Sequence, residues 1–117
     1  MQFLGMQKFH NIVNEVINQS NIIIEVLDAR FPEETRNLDI EKKIKRSGKK
    51  LIYVLNKSDL LDTIIDNISL DFEPYVFVSS KKNLGTTKLR KLIFSLIEKK
   101  PVNIGIVGYP NTGKSSL

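Results

Sequence analysis

The chain has 117 residues, no cysteine, no tryptophan, 41% hydrophobic residues and a formal net charge of +5. That length suits one domain or part of one, and the near-average apolar and charged fractions favour a packed core over wholesale disorder. Without cysteine, a disulfide scaffold, a thiolate zinc site and a catalytic thiol are excluded; no apolar run approaches the roughly 18 residues of a membrane span, and no signal peptide opens the chain, so a soluble cytoplasmic protein is expected.

Phe9, Ile12, Val13, Val16 and Ile17 recur at helical spacing, and residues 6–18 read as an amphipathic helix. The run Ile22-Ile23-Ile24-Glu25-Val26-Leu27 is β-branched and of strand length. Residues 28–37, with Pro32, read as loop, and Leu38, Glu41 and Ile44 to Ser47 as a short helix ended by Gly48. Leu51-Ile52-Tyr53-Val54-Leu55 is a second buried strand, followed by a weaker helix over 60–68. Tyr75-Val76-Phe77-Val78, after Pro74, is the third strand. Leu89, Leu92, Ile93, Leu96 and Ile97 form the clearest helical stripe, closed by Glu98, Lys99, Lys100 and Pro101. Asn103-Ile104-Gly105-Ile106-Val107 is the fourth strand. Nearly continuous apolar strands alternating with helices indicate an α/β protein: one parallel sheet covered by helices on both faces.

Fourteen of the eighteen basic residues are lysine, concentrated at Lys42–Lys50 and Lys81–Lys100. Such a surface is compatible with RNA or another polyanion, and equally with plain solvation.

Ligands of parallel sheets bind in the crevice beyond the carboxyl ends of the strands, which directs attention to the residues after Leu27, Leu55, Val78 and Val107. After Val107, Gly108-Tyr109-Pro110-Asn111-Thr112-Gly113-Lys114-Ser115 fits Gly-x4-Gly-Lys-Ser between a strand and an expected helix. Glycines let the backbone wrap a phosphate, and the helix N-terminus adds partial positive charge. Candidate phosphate ligands are therefore Gly108, Pro110, Asn111, Thr112, Gly113, Lys114, Ser115 and Ser116. Lys114 is the candidate catalytic group, reaching the β- and γ-phosphates, and the Ser115 hydroxyl is the candidate Mg²⁺ ligand. The competing reading is a glycine turn that happens to precede a lysine.

After Leu55 comes Asn56-Lys57-Ser58-Asp59. A carboxylate at Asp59 suits the N1–H and exocyclic amine of guanine, whereas adenine offers no such donor pair. Lys57 is placed to lie along the base, and the Asn56 amide to tie this loop to the phosphate loop. Taken alone, Asp59 also reads as the N-cap of a helix. After Val78, Ser79-Ser80-Lys81 offers backbone N–H groups to the guanine O6, or forms a plain turn.

Asn56–Asp59, then Ser79–Lys81, then Gly108–Ser115 resemble the guanine-specificity and phosphate motifs of Ras-like GTPases. Their order, with the phosphate loop last, resembles the circularly permuted GTPases. Asp28-Ala29-Arg30-Phe31-Pro32 with Thr35-Arg36-Asn37, and Tyr109-Pro110-Asn111, resemble the YlqF/YawG branch, over about residues 20–117. The resemblance implies a P-loop NTPase G-domain of permuted topology, with residues 1–117 as its base-binding half plus the phosphate loop. It implies GTP or GDP with Mg²⁺ as cofactors, GTP hydrolysis by the intact protein, and assembly of the large ribosomal subunit with rRNA and ribosomal proteins as partners.

Asp28-Ala29-Arg30 reads either as a branch signature or as a strand-end turn with a surface salt bridge. It belongs to none of the nucleotide-contacting loops and receives no catalytic role. Where bacterial members open with Gly-His-Met, this chain has Gly5-Met6-Gln7; His10 reads as a partly exposed helix residue. The switch segments that should follow the phosphate loop are not among these residues, since Leu117 lies three beyond Lys114. The expectation is an incomplete G-domain that binds guanine nucleotide without useful hydrolysis. By analogy its strands order as 75–78, 51–55, 22–27, 103–107, with the last carrying a bare edge open to self-association. The competing functions are a P-loop ATPase or kinase, against which Asp59 argues, and a nucleotide-independent RNA- or protein-binding module.

Overall fold

A computed structural model describes residues 2–63 and 65–108, with only the backbone described for residues 2–10 and Asp66. Helix α1 (Gln2–Gln19) leads into strand β1 (Ile22–Asp28), the one-turn helix α2 (Pro32–Thr35) and helix α3 (Leu38–Arg46). Strand β2 (Lys50–Asn56), strand β3 (Tyr75–Phe77), helix α4 (Thr86–Leu96) and strand β4 (Ile104–Gly108) complete the order. All pairings are parallel, and the sheet runs β3-β2-β1-β4, the order expected from the sequence.

Every residue of β1 is buried, because the strand lies inside the sheet and is covered on both faces. Ile23 and Leu27 pack with Val13 and Ile17 of α1 and Ile40 and Ile44 of α3. On the opposite face, Ile22, Ile24 and Val26 pack with Ile52, Val54 and Leu89, under the α4 stripe of Leu92, Ile93 and Leu96. Each such aliphatic side chain stabilises the fold by roughly 1.5–3 kcal/mol relative to exposure. The alternation of this strand's side chains between two apolar layers is what turns an uninterrupted apolar run into a central parallel strand.

Three sequence expectations are corrected. The segment 60–68 is not a helix: it carries 3-10 turns at Ser58–Leu60 and Ile65–Asn67. The Ser58 N–H donates to the Val78 carbonyl and Leu61 is extended, which breaks helical continuity. The loop at 28–37 contains α2, opened by Pro32 at its first turn. The first helix begins earlier than residue 6, at Gln2.

α3 starts at an Asn37 cap whose side chain accepts from the Ile40 N–H at 3.1 Å, and ends before Gly48, which sits at φ 71°. Gly85, at φ 82°, precedes α4 where a Cβ would run into the Phe77 carbonyl. Glycine is thus required for the β3–α4 connection to fold back on its own strand.

β4 lies at a sheet edge, as expected. Gly105 and Val107 face α1, whereas Ile104 and Ile106 are 43% and 38% exposed, because α4 covers β1–β3 and stops short of β4.

Candidate functional site

The carboxyl ends of β1, β2 and β3 bring three polar loops together. β2 delivers Asn56, which is 3% exposed. Its Oδ1 accepts from the Ser80 N–H at 3.1 Å and from the Ser80 hydroxyl at 3.2 Å, tying the loop after β2 to the loop after β3. The expected tie from Asn56 to the phosphate loop involves residues outside those described.

Lys57 adopts the left-handed conformation, φ 64° and ψ 31°. Such a conformation costs a non-glycine residue about 1–2 kcal/mol, so neighbouring bonds must hold it. They are on either side: the Ala29 N–H donates to the Asn56 carbonyl at 2.8 Å, and the Ser58 N–H to Val78 at 3.1 Å. Asp59 is half-buried, and its Oδ1 accepts from the Ser79 hydroxyl at 2.7 Å. Asp59 is the first-turn residue of a 3-10 turn rather than a helix N-cap.

Ser79 is fully buried. Its N–H bonds to the Leu84 carbonyl, and its hydroxyl also accepts from the Lys82 N–H at 3.1 Å. The N–H groups of Ser79 and Ser80 are therefore engaged within the protein. Of the three proposed donors to O6, the Lys81 N–H is the one without a protein acceptor among the described residues.

The loop after β1 also reaches this end of the sheet. Asp28 is 5% exposed and accepts from Arg30 Nε at 3.1 Å, Arg30 Nη2 at 2.9 Å and the Arg30 N–H at 2.9 Å. These bonds hold its carboxyl below the usual range, against the effect of burial. Its second neighbour is Lys57, whose Nζ lies 3.6 Å from Asp28 Oδ2. The salt bridge expected within Asp-Ala-Arg is present, with a buried carboxylate that also faces Lys57. The Asp28 N–H donates to Thr35 Oγ1 at 3.0 Å, and that hydroxyl donates to the Phe31 carbonyl at 2.7 Å. Thr35 thereby fixes the turn that presents Asp28.

At the mouth of β4, Gly108 is the last described residue, in register with Val26. Tyr109, Pro110, Asn111, Thr112, Gly113, Lys114, Ser115 and Ser116 lie outside the described residues, as does the His10 side chain. The strand therefore brings Gly108, where the expected phosphate loop begins, to the same end of the sheet as the other three loops.

Sequence reasoning missed a buried polar cluster on the α3 face of the sheet. Glu25 and Glu41 are each 2% exposed. Arg36 forks onto Glu41, at 3.1 Å from Nε to Oε2 and 2.7 Å from Nη2 to Oε1, and stacks 4.6 Å over the Phe72 ring. The Tyr53 hydroxyl donates to Glu41 Oε1 at 2.8 Å. Glu25 Oε2 accepts from the Asn37 N–H at 2.9 Å, while its Oε1 meets no donor among the described residues. Burial first, and then the Glu41 carboxylate, push the Glu25 pKa up to about 8. Protonated, Glu25 presents a donor to Glu41. Burial opposes the charge of Glu41, but the bonds from Arg36, Glu25 and Tyr53 hold its carboxyl below the usual range. The one charge inside the β1 apolar run was the available signal. Thr35-Arg36-Asn37 is thus a structural device: it braces α2, neutralises Glu41 and caps α3.

No protein-family model matches the chain. It is 53% identical over 111 residues to an uncharacterized GTP-binding protein of Methanocaldococcus jannaschii, covering 91% of this chain and 30% of that protein. It is 37% identical over 123 residues to nucleolar GTP-binding protein 2 of Saccharomyces cerevisiae, covering 95% of this chain and 25% of that one. The chain thus spans under a third of these relatives' lengths. A crystal structure of GNP-bound YlqF from T. maritima superposes with a TM-score of 0.64 at 24% identity, over 93% of this chain and 45% of that one. That likeness carries the fold. Among the described residues, no helix is long and apolar enough to cross a membrane.

Proposed function

This chain belongs to the circularly permuted, YlqF-like GTP-binding proteins, and from that premise we propose that it binds guanine nucleotide in the crevice at the carboxyl ends of its strands. The observation that carries the reading is the placement of Asp59, held by Ser79, beside the Asn56–Ser80 tie and at the same carboxyl end of the sheet as the end of β4. In this reading residues 1–117 are the base-binding half of a G-domain together with its phosphate loop.

Asp59 accepts the two guanine donors, the Lys57 stem covers the base, and the Lys81 N–H meets O6. Gly108 to Ser116 wrap the phosphates. A nucleotide-bound Mg²⁺ draws most of its oxygen ligands from phosphate and water, so one protein hydroxyl, that of Ser115, suffices on this chain. When bound, the ion neutralises charge on the phosphates. Lys114 and the loop N–H groups stabilise charge on the γ-phosphate as water attacks in line. The 117 residues alone hold nucleotide without useful turnover, because no residue among them is assigned to position that water.

The whole protein acts as a GTP-hydrolysing switch in large-subunit assembly, with rRNA and ribosomal proteins as partners. Its compartment is wherever those subunits are built: the cytoplasm in a cell without a nucleus. The uncovered β4 edge gives the isolated chain a route to self-association.

The test is titration with fluorescent GDP, competed by GTP, XDP and ADP, for the wild type and Asp59→Asn. Competition by GTP but not ADP, with Asp59→Asn turning preference toward XDP, is expected. Equal competition by ADP would overturn the guanine assignment.

A further inference from the structure

The lysine cluster at 42–50 and the basic end of the α4–β4 connection are far apart in sequence but meet at the amino ends of the strands. A depression of about 290 Å³ is lined from one side by Lys49 and Lys50, and from the other by Lys99. A second, of about 310 Å³, is lined by Lys43 and Arg46. Ser47 borders both, so the two form one continuous surface.

Cations in the last turn of a helix are ordinarily explained by the helix dipole, and Lys43 and Arg46 fit that explanation. Lys49, Lys50 and Lys99 do not, since they belong to a turn, a strand and a connection. Of these five cations, Lys50 alone has a carboxylate partner among the described residues, Glu98 at 3.0 Å. Among the described residues no carboxylate pairs with Lys43, Arg46, Lys49 or Lys99. The amides of Asn14, Asn18 and Asn21 line the same two depressions, with Asn21 Oδ1 accepting from the Asn103 N–H at 2.8 Å. Lys43 Nζ donates to Asn14 Oδ1 at 3.3 Å, which aligns cation and amide side by side.

We infer that this face is a docking surface for the sugar–phosphate backbone of folded RNA. Spaced, unpaired cations neutralise successive phosphates. Amide NH2 groups, whose oxygens in Asn14 and Asn21 are already bonded within the protein, suit the 2′-hydroxyls, which distinguish RNA from DNA. The surface lies at the opposite end of the strands from the nucleotide crevice, about 20 Å away along seven residues of β1. RNA and nucleotide therefore bind without competing for space. The inference deepens the large-subunit-assembly reading and rests on it for the choice of ribosomal RNA as the probe.

The experiment uses the full-length protein, a folded large-subunit rRNA segment and duplex DNA of equal length, each titrated at several salt concentrations. The patch variant is Arg46→Glu with Lys49→Glu and Lys99→Glu. A charge-matched control reverses Lys88, Arg90 and Lys91 on the outer face of α4, and a milder patch variant carries glutamine at the same three positions. Fluorescent GDP affinity is measured on every protein.

The patch variant is expected to lower the slope of log affinity against log salt by about 2–3 and to weaken RNA binding on the order of 10–100-fold at physiological salt. The glutamine variant gives a smaller loss in the same direction, and the control and GDP affinity stay near wild type. Wild-type RNA binding by both patch variants, an equal loss in the control, or equal affinity for duplex DNA would overturn the inference. Failure of the wild type to bind GDP, with RNA binding still lost in the patch variants, would sink the nucleotide reading and leave this one standing.

Discussion

Asp28 and Lys57 stand 29 residues apart in sequence, yet their side chains meet at 3.6 Å across the β1–β2 seam. The register that pairs Asp28 with Asn56 puts the two loops in contact, and the Arg30 fork fixes the carboxylate that faces the lysine. Asp28→Asn is expected to weaken guanine-nucleotide binding about 3–10-fold, a loss suited to one partly exposed ion pair plus loop ordering. Combining it with Lys57→Gln should cost clearly less than the sum of the single losses. A double-mutant cycle on GDP affinity measures that coupling; strict additivity would show that Asp28 acts only on the fold.

Ser79→Ala removes the hydroxyl that holds Asp59 Oδ1. Loss of one such bond to a carboxylate is worth about 1.5–3 kcal/mol at most, with solvent at the half-buried Asp59 reducing it. Preference for GDP over ADP should fall by roughly tenfold, while Asp59→Asn redirects it toward XDP. An unchanged preference in Ser79→Ala would mean that Asp59 holds its position unaided.

The buried carboxyl pair makes stability depend on pH. Glu25 binds a proton up to about pH 8 in the folded chain, against an ordinary value of 4.5. Between those values the folded state holds a proton that the unfolded chain has released, so its contribution to stability falls as pH rises. Glu25→Gln supplies a permanent donor toward Glu41 and should flatten the decline from about pH 5 to pH 8. Urea midpoints across that range measure it, and an equal decline in the variant would contradict a retained proton.

Arg36→Ala should destabilise by roughly 3–5 kcal/mol, because it strands the buried Glu41 charge and removes the cation over Phe72. Cooperative urea unfolding at neutral pH tests this. A loss below about 1 kcal/mol would show that Tyr53 and Glu25 keep Glu41 satisfied without Arg36.

For the isolated 117 residues, Ile106→Lys places a charge on the uncovered face of β4 and should suppress self-association. Light scattering over a concentration series compares it with the wild type. A wild type whose mass does not change with concentration would remove the proposed edge contact.

The strand order was legible because β1 and β2 are uninterrupted apolar runs of strand length, and the α4 stripe repeats cleanly at helical spacing. Residues 60–68 misled because Leu60, Leu61, Ile65 and Ile68 also suit a helix; what prevents one is the long-range bond from Ser58 to Val78. The proposed base-reading loop, Asn56–Asp59, was visible as a local tetrapeptide. Asp28 as its neighbour was not, since that contact arises from strand register. Arg36 likewise shows its role only when α3 brings Glu41 back against β1.

Asn56 bonded to Ser80, Asp59 to Ser79 and Ala29 to Asn56 make this carboxyl end of the sheet a set of stitches closed within the protein itself. A mould that is already set incurs little further ordering when a base enters it. A guanine base, the proposed ligand, would then be read by a surface already fixed, with little of its affinity lost to arranging Asn56, Asp59 or Ser80.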